Sequence, residues 1–348
     1  MSRTRKPRIS YEEFYSRQLV MKELGSEGQE KLAKAKVAVV GLGGLGTVAS
    51  LYLTLAGVGF LRLIDQDTVE PHNLHRQVLY KPEDLRYPKA EVSAKRLKEI
   101  NPFVEVEAVP ENLNVDNAEK LLMGVNCVLD GLDNIRTRYL VNRTCINLKI
   151  PYVFGAAIGI EGNLSVFAPP ETPCLECVLP NLEDSNLLTC DVRGVLGATP
   201  GIIGTMEAME TIKLLTGVGT PLKGKLMICD FSDMYFAIID IYKRENCPAC
   251  RGETVAQKPM EKLVWLCGRN TVNINPEKPI KLDFENINTK IRQNFKVRVK
   301  SSMAIVFTYR GYEITLFNGG RMLIKNIGNE EKALKVYREI FQKMGLSQ

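Results

Sequence analysis

The chain has 348 residues, 45% of them apolar and 25% charged, with a formal net charge of +6. This is enough for a sizeable core and more than one folding unit. Every apolar run is broken by Gly or charge before it reaches membrane-spanning length, and the basic first eight residues have no apolar stretch behind them, so neither a membrane helix nor a secretory signal is expected, whereas a cytoplasmic location is expected.

In chain order, Lys36–Val40 is a β-branched strand that meets a glycine cluster, residues 47–56 read as a buried helix, and residues 59–64 as a second strand ending at Asp65. A strand, glycine turn, helix and strand lead naturally to a parallel sheet. Residues 90–100 continue as an amphipathic helix closed by Asn101-Pro102, residues 104–108 and 125–129 as strands, and residues 136–147 as a helix. Beyond Pro151 the texture changes to strands at 152–154, 163–167, 226–230 and 235–242 around one long helix at 202–215. A polar linker is expected at 250–259. Short strands follow at 271–274, 297–299, 305–309, 312–317 and 321–324, with an Asn318-Gly319-Gly320 hairpin turn and a closing helix at 329–344. The predicted fold is α/β: a Rossmann-like doubly wound domain with a mixed-sheet second half over residues 1–254, then a small α+β domain over 255–348. The second domain carries the basicity, with 17 Lys and Arg against 8 Asp and Glu, a net of +9.

Only two histidines occur, His72 and His75, which directs a catalytic reading toward Lys, Arg, Asp and Cys. Gly41-Leu42-Gly43-Gly44-Leu45-Gly46 follows a strand and opens a helix, so backbone amides there approach phosphate closely. Asp65, at the end of the next strand, is placed to accept hydrogen bonds from a ribose. Alone, this pattern is shared by nicotinamide and flavin enzymes and by triphosphate users. The run from Asp65 through Asp67 and Asn73 to Arg76 and Gln77, with Lys89 after it, sets an amide and two cations beside the loop, which fits a triphosphate better than a hydride acceptor. Asp130-Gly131-Leu132-Asp133-Asn134 follows a strand at the carboxyl edge of the sheet, where a carboxylate can hold Mg²⁺; one of the two aspartates serving as a helix cap is the competing reading.

Nine cysteines are too few for a disulfide scaffold. Cys174-Leu175-Glu176-Cys177 and Cys247-Pro248-Ala249-Cys250 form two knuckles with the spacing of a closed, structural four-thiolate zinc site, a redox dithiol at Cys247 and Cys250 being the rival. Cys190, in a polar loop near Arg193, is a candidate nucleophile, whereas Cys127, Cys145, Cys229 and Cys267 lie in apolar runs and read as core.

Taken together, Tyr15-Ser16-Arg17-Gln18, the glycine loop, Asn73-Leu74-His75-Arg76-Gln77, Asp133-Asn134 and the two cysteine pairs in order resemble the MoeB/ThiF group of ubiquitin-activating-enzyme-like adenylyltransferases over residues 9–252. The resemblance implies that the C-terminal Gly-Gly carboxylate of a small ubiquitin-like sulfur carrier attacks the α-phosphorus of ATP, for sulfur transfer or protein conjugation. It implies nucleotide contacts from Gly41, Gly43, Gly44, Gly46, Asp65, Asp67, Gln77 and Asn134, phosphate contacts from Asn73, Arg76 and Lys89, and Mg²⁺ at Asp133. Arg17 resembles the arginine that crosses from the partner subunit of a homodimer, and Cys190 the family's crossover cysteine. No sulfurtransferase domain is expected after the second knuckle; a separate sulfurtransferase is one candidate donor, and the sulfur donor is left open. The tail from Leu263 resembles an extra domain of some stand-alone ThiF-like proteins, and its basic balance suggests docking of an acidic carrier or of tRNA, against a plain solvated surface. The rival functions are adenylation of a tRNA base, a nicotinamide oxidoreductase on the same glycine loop, and a zinc-stabilised nucleic-acid scaffold.

Overall fold

The structure is a computed structural model. It describes residues 9–184, 193–253, 263–266, 271–276 and 280–345. Two sheets organise it. The first has eight strands: β1 (Lys36–Val40), β2 (Phe60–Ile64), β3 (Glu105–Val109), β4 (Cys127–Asp130), β5 (Tyr152–Ile158), β6 (Glu161–Phe167), β7 (Lys225–Asp230) and β8 (Tyr235–Asp240). Their order is β3-β2-β1-β4-β5-β6-β7-β8, parallel as far as β5 and antiparallel from β5 to β8.

Strand β1 is buried on both faces, as a central parallel strand must be, and its alternation divides the core. Val37 and Val39 face one way with Leu61, Leu63 and Leu129, toward helices Gly44–Ala56, Lys89–Ile100 and the long Ala198–Thr216. Ala38 and Val40 face the other way with Ile64, Val128 and Phe154, toward helix Ile135–Leu148. The chain leaves β1 in one direction for β2 and β3, then returns to build outward from β4. The switch point therefore lies between β1 and β4, where doubly wound folds open a crevice at the strands' carboxyl ends.

The crevice exists because two glycine turns touch there. Gly41 adopts φ +91°, and a Cβ on it would lie 2.4 Å from the Gly131 carbonyl oxygen. A Cβ on Gly46, one turn into the following helix, would lie 1.9 Å from the Gly41 oxygen.

Helix Tyr11–Leu19 opens on a reciprocal cap between Ser10 and Glu13 and buries Tyr15. The Asn101 amide donates to both the Tyr15 hydroxyl (2.7 Å) and the Thr54 carbonyl (2.6 Å), and Gln18 donates to Ala56 O. With Tyr15 and Gln18 turned inward, Ser16 and Arg17 are exposed.

The second sheet is antiparallel, with β9 (Leu263–Leu266), β10 (Thr271–Ile274), β11 (Lys296–Lys300), β12 (Ala304–Tyr309), β13 (Tyr312–Phe317) and β14 (Met322–Lys325) in the order β11-β12-β13-β14-β10-β9. Helices Phe284–Asn294 and Glu330–Lys343 cover one face through Ile287, Ile291, Tyr337 and Phe341. The expected helix at 329–344 is present; Phe284–Asn294 and β9 were not anticipated. The expected linker is corrected at its start: Glu253 N donates to Pro248 O, so residues 250–253 complete the second cysteine knuckle, and residues 254–262 lie outside the described set. No helix among the described residues is long and apolar enough to cross a membrane.

The glycine contacts make a paired prediction. Gly46→Ala drives a methyl into backbone and should lower stability by more than the roughly 1–3 kcal/mol usual for overpacking. Gly201→Ala, with open space at its Cβ, should be neutral or stabilising. Denaturant unfolding of both variants checks this, and equal stability of the two contradicts it.

Candidate nucleotide site

A cavity of about 320 Å³ opens at the switch point. On one side, Gly41, Gly43 and Gly44 lead into helix Gly44–Ala56, whose N-cap, Gly43, supplies no side-chain cap. The first amides of that helix are thus open to an anion. Asp65 grips this turn: one carboxylate oxygen accepts from Leu42 N (2.7 Å) and the other from Asp67 N (2.7 Å). Burial pushes its carboxyl above the ordinary range, with Lys89 pulling the opposite way and Asp67 adding to the rise.

Lys89 begins helix Lys89–Ile100 and is almost wholly buried, its ammonium 3.3 Å from Asp67 Oδ2. Arg76 is held by the His72 carbonyl (2.7 Å) and His75 Nε2 (2.8 Å), and Gln77 is buried beside it; both line the cavity. Neither histidine does.

The opposite wall comes from the turn after β4. Asp130 is fully buried, hydrogen-bonded by Tyr152 Oη and Leu132 N and paired with Arg138 (3.1 Å). Burial raises its carboxyl and the facing guanidinium opposes the rise. Asp133 is exposed on the cavity, with Asn134 Nδ2 3.2 Å away as donor. The helix cap falls to neither aspartate: Asn134 Oδ1 accepts from Thr137 N, and Asp184 accepts from Ile135 N (2.6 Å) and Arg136 N.

Of the expected nucleotide contacts, Gly41, Gly43, Gly44, Asp65, Asp67, Arg76, Gln77, Lys89, Asp133 and Asn134 line one cavity. Gly46 and Asn73 stand behind its wall, Gly46 through the backbone contact above and buried Asn73 by accepting from Glu70 N (3.0 Å). Arg17 is exposed and does not line this chain's cavity. Cys190 lies outside the described residues. The sequence reading did not anticipate Arg138, Asp184, Glu161 or Glu207. Glu161 lines the cavity and pairs with Arg193 (2.5 Å).

Cys174, Cys177, Cys247 and Cys250 converge with all four sulfurs within 4.8 Å of one another. Individual separations are 3.8 Å (Cys174 to Cys177), 3.6 Å (Cys174 to Cys247) and 3.5 Å (Cys177 to Cys250). Tetrahedral zinc with bonds of about 2.3 Å puts its sulfurs roughly 3.8 Å apart, so the cage has the right size, while a disulfide at about 2 Å does not fit. Glu176 ties the first knuckle to helix Ile135–Leu148 through Arg143 (2.5 and 2.8 Å) and Asn142.

Fold and cavity together are those of the doubly wound α/β class, with its crevice at the switch point. Residues 15–249, more than half of the chain, match the ThiF family. The chain belongs to the ThiF family. It is 40% identical over 260 residues to the sulfur carrier protein adenylyltransferase of Thermus thermophilus, covering 73% of this chain and 96% of that protein. It is 42% identical over 261 residues to the adenylyltransferase and sulfurtransferase MOCS3-1 of Drosophila pseudoobscura pseudoobscura, covering 74% of this chain but only 58% of the relative. In fold it is similar to E. coli MccB crystallised with MccA-N7isoASN, at a TM-score of 0.62 and 23% identity, covering 68% of this chain and 74% of the other.

Glu207, on the long helix, is fully buried against Gly155, and neither carboxyl oxygen has a hydrogen-bond partner among the described residues. Burial, then the charge on Asp130, push its carboxyl well above 4.5, with Arg138 opposing. The native state therefore binds this proton more tightly than the unfolded chain, and stability falls as pH rises from the ordinary value toward the raised one. Glu207→Gln should remove that slope, so its stability relative to wild type should grow as the pH rises from about 5 to about 8. A pH-independent difference in denaturant unfolding contradicts this.

Proposed function

We propose that the chain is an adenylyltransferase that activates the C-terminal glycine carboxylate of a ubiquitin-like sulfur carrier, consuming Mg·ATP and releasing pyrophosphate. The carrying observation is the gathering of the glycine turn, Asp65, Arg76, Lys89 and Asp133 around one cavity in a ThiF-family chain. Relatives named for this activity support the substrate class. The residues suit the substrates: uncapped amides for phosphate, a carboxylate beside them for ribose, two cations for the triphosphate, and an exposed carboxylate at Asp133 for Mg²⁺.

Bound Mg²⁺ supplies charge neutralisation on the phosphate oxygens. A carrier carboxylate oxygen bonds to the α-phosphorus, the bond from that phosphorus to the bridging oxygen breaks, and pyrophosphate leaves with the electron pair. No proton is transferred, in keeping with a cavity lined by no histidine among the described residues. The protein's part is to align carboxylate with phosphorus and to hold compensating charge in place. Arg76 and Lys89 do the latter, each oriented by the contacts described.

Three further parts belong to this reading. Arg17, exposed and away from its own cavity, reaches the site of a partner subunit in a homodimer. The four cysteines hold a structural zinc that joins residues 174–177 to 247–250. Residues 1–254 form the adenylating unit and 255–348 the basic C-terminal unit.

Asp133→Ala and Arg76→Ala should each cut carrier-dependent ATP–pyrophosphate exchange by about 10² or more, judged by the cost of losing one transition-state charge contact. Their circular dichroism and metal content should be unchanged, and exchange persisting in both variants refutes the site assignment. Metal analysis should find one zinc per chain, and Cys247→Ser should lose it along with several degrees of thermal midpoint; a zinc-free wild type of full stability contradicts the cage.

A further inference from the structure

The second sheet turns its helix-free face to the first domain, and the contacts between them converge on the segment that carries half of the nucleotide site. Lys325 pairs with Glu70 (3.1 Å), Arg86 with Glu313 (2.8 Å), and Ser302 hydroxyl donates to Glu91 (2.7 Å). Arg321 reaches further. The Asn318-Gly319-Gly320 turn, with Gly320 at φ +83°, aims it across the interface, where it is only 6% exposed. One guanidinium nitrogen donates to both Gln66 O (2.7 Å) and Pro110 O (3.0 Å), and the other to Asn273 Oδ1 (3.0 Å). Its Cζ lies over the Phe317 ring, 3.6 Å from the centroid.

The two carbonyls belong to different loops. Gln66 sits between Asp65 and Asp67, and Pro110 immediately precedes Glu111, Asn112 and Leu113; all of these except Pro110 line the cavity. We propose that Arg321 is a positioning residue for nucleotide binding: anchored on Asn273 by one guanidinium nitrogen, it ties the loop after β2 to the loop after β3 with another and so sets the Asp65 side of the cavity. This rests on the nucleotide reading above and adds to it a role for the C-terminal unit in substrate affinity. A guanidinium suits the task because it is planar, offers several donors in fixed directions and stacks on an aromatic ring. Burial pulls its pKa down to about 10, while Asp67, Asp65 and Glu111 favour the charged form, so the fork stays protonated at neutral pH. Among the described residues, the side chain that donates to these two carbonyls is Arg321, so its loss frees both loops at once.

The test compares Arg321→Met and Arg321→Lys with Ser302→Ala, which cuts a contact between the same two units without touching the cavity wall. In pyrophosphate exchange, Arg321→Met should raise the KM for ATP tenfold or more with kcat within about twofold of wild type, and Arg321→Lys about threefold, since one ammonium cannot hold the two carbonyls and also keep the anchoring bond to Asn273 Oδ1 and the stack on Phe317. Ser302→Ala should leave the KM unchanged. Hydrogen exchange without nucleotide should show the amides of Asp67 and of Glu111 to Leu113 exchanging about tenfold faster in the two Arg321 variants only. An unchanged KM and unchanged exchange in Arg321→Lys overturn the proposal even if Arg321→Met fails to fold, as does an equal rise in Ser302→Ala. Faster exchange of those amides in a protein whose wild type binds no Mg·ATP keeps the positioning role and rejects the nucleotide reading instead.

Discussion

Everything at the site depends on the approach of two backbone turns. Gly41 N donates to Ile64 O (2.8 Å) and Gly131 N to Val40 O (2.7 Å), so the turns after β1 and β4 are anchored to the sheet, and the missing side chains at Gly41, Gly46 and Gly131 let them touch. A cavity wall of main chain results, and the first amides of helix Gly44–Ala56 beside it are left without a side-chain cap. Side chains would fill this space and would present no comparable row of donors to an anion.

Charge is arranged around that wall in two ways. Deep in the fold, Asp130 and Arg138 compensate each other and brace the turn that presents Asp133. Nearer the cavity, Lys89 is buried and held by Asp67, while Arg76 is steered by a carbonyl and an imidazole. Such pairing costs desolvation, and its return here is direction more than stability. The second sheet extends the same principle outward, because the buried Arg321 guanidinium on this interface grips main-chain carbonyls behind the cavity rather than a carboxylate.

What was legible in the sequence follows from which physical demand each residue meets. The glycine run, Asp65 and the two cysteine pairs were readable because main-chain approach, ribose hydroxyls and a soft metal each accept few residue types. Asp184 and Glu207 were not, since a capping acceptor from 49 residues away and a carboxyl packed against Gly155 arise only when distant segments meet. Helix Phe284–Asn294 was obscured by its asparagines and threonine, poor helix formers, although Phe284, Ile287 and Ile291 carry the helical spacing. Helix Tyr11–Leu19, capped by Ser10 and Glu13, was not anticipated; its motif residues divide between packing and exposure, which explains why Tyr15 and Gln18 accompany Arg17.

The central claim is that an acyl carboxylate displaces pyrophosphate from a nucleotide held on these turns. Its most direct measurement is intact mass spectrometry of a Gly-Gly-terminated carrier incubated with the protein and Mg·ATP. The account predicts one added adenylyl group on the terminal carboxylate, absent when the last glycine is removed. Adenylyl transfer to RNA with none on any such carrier, or nicotinamide dinucleotide retained in the cavity in place of ATP, would contradict it.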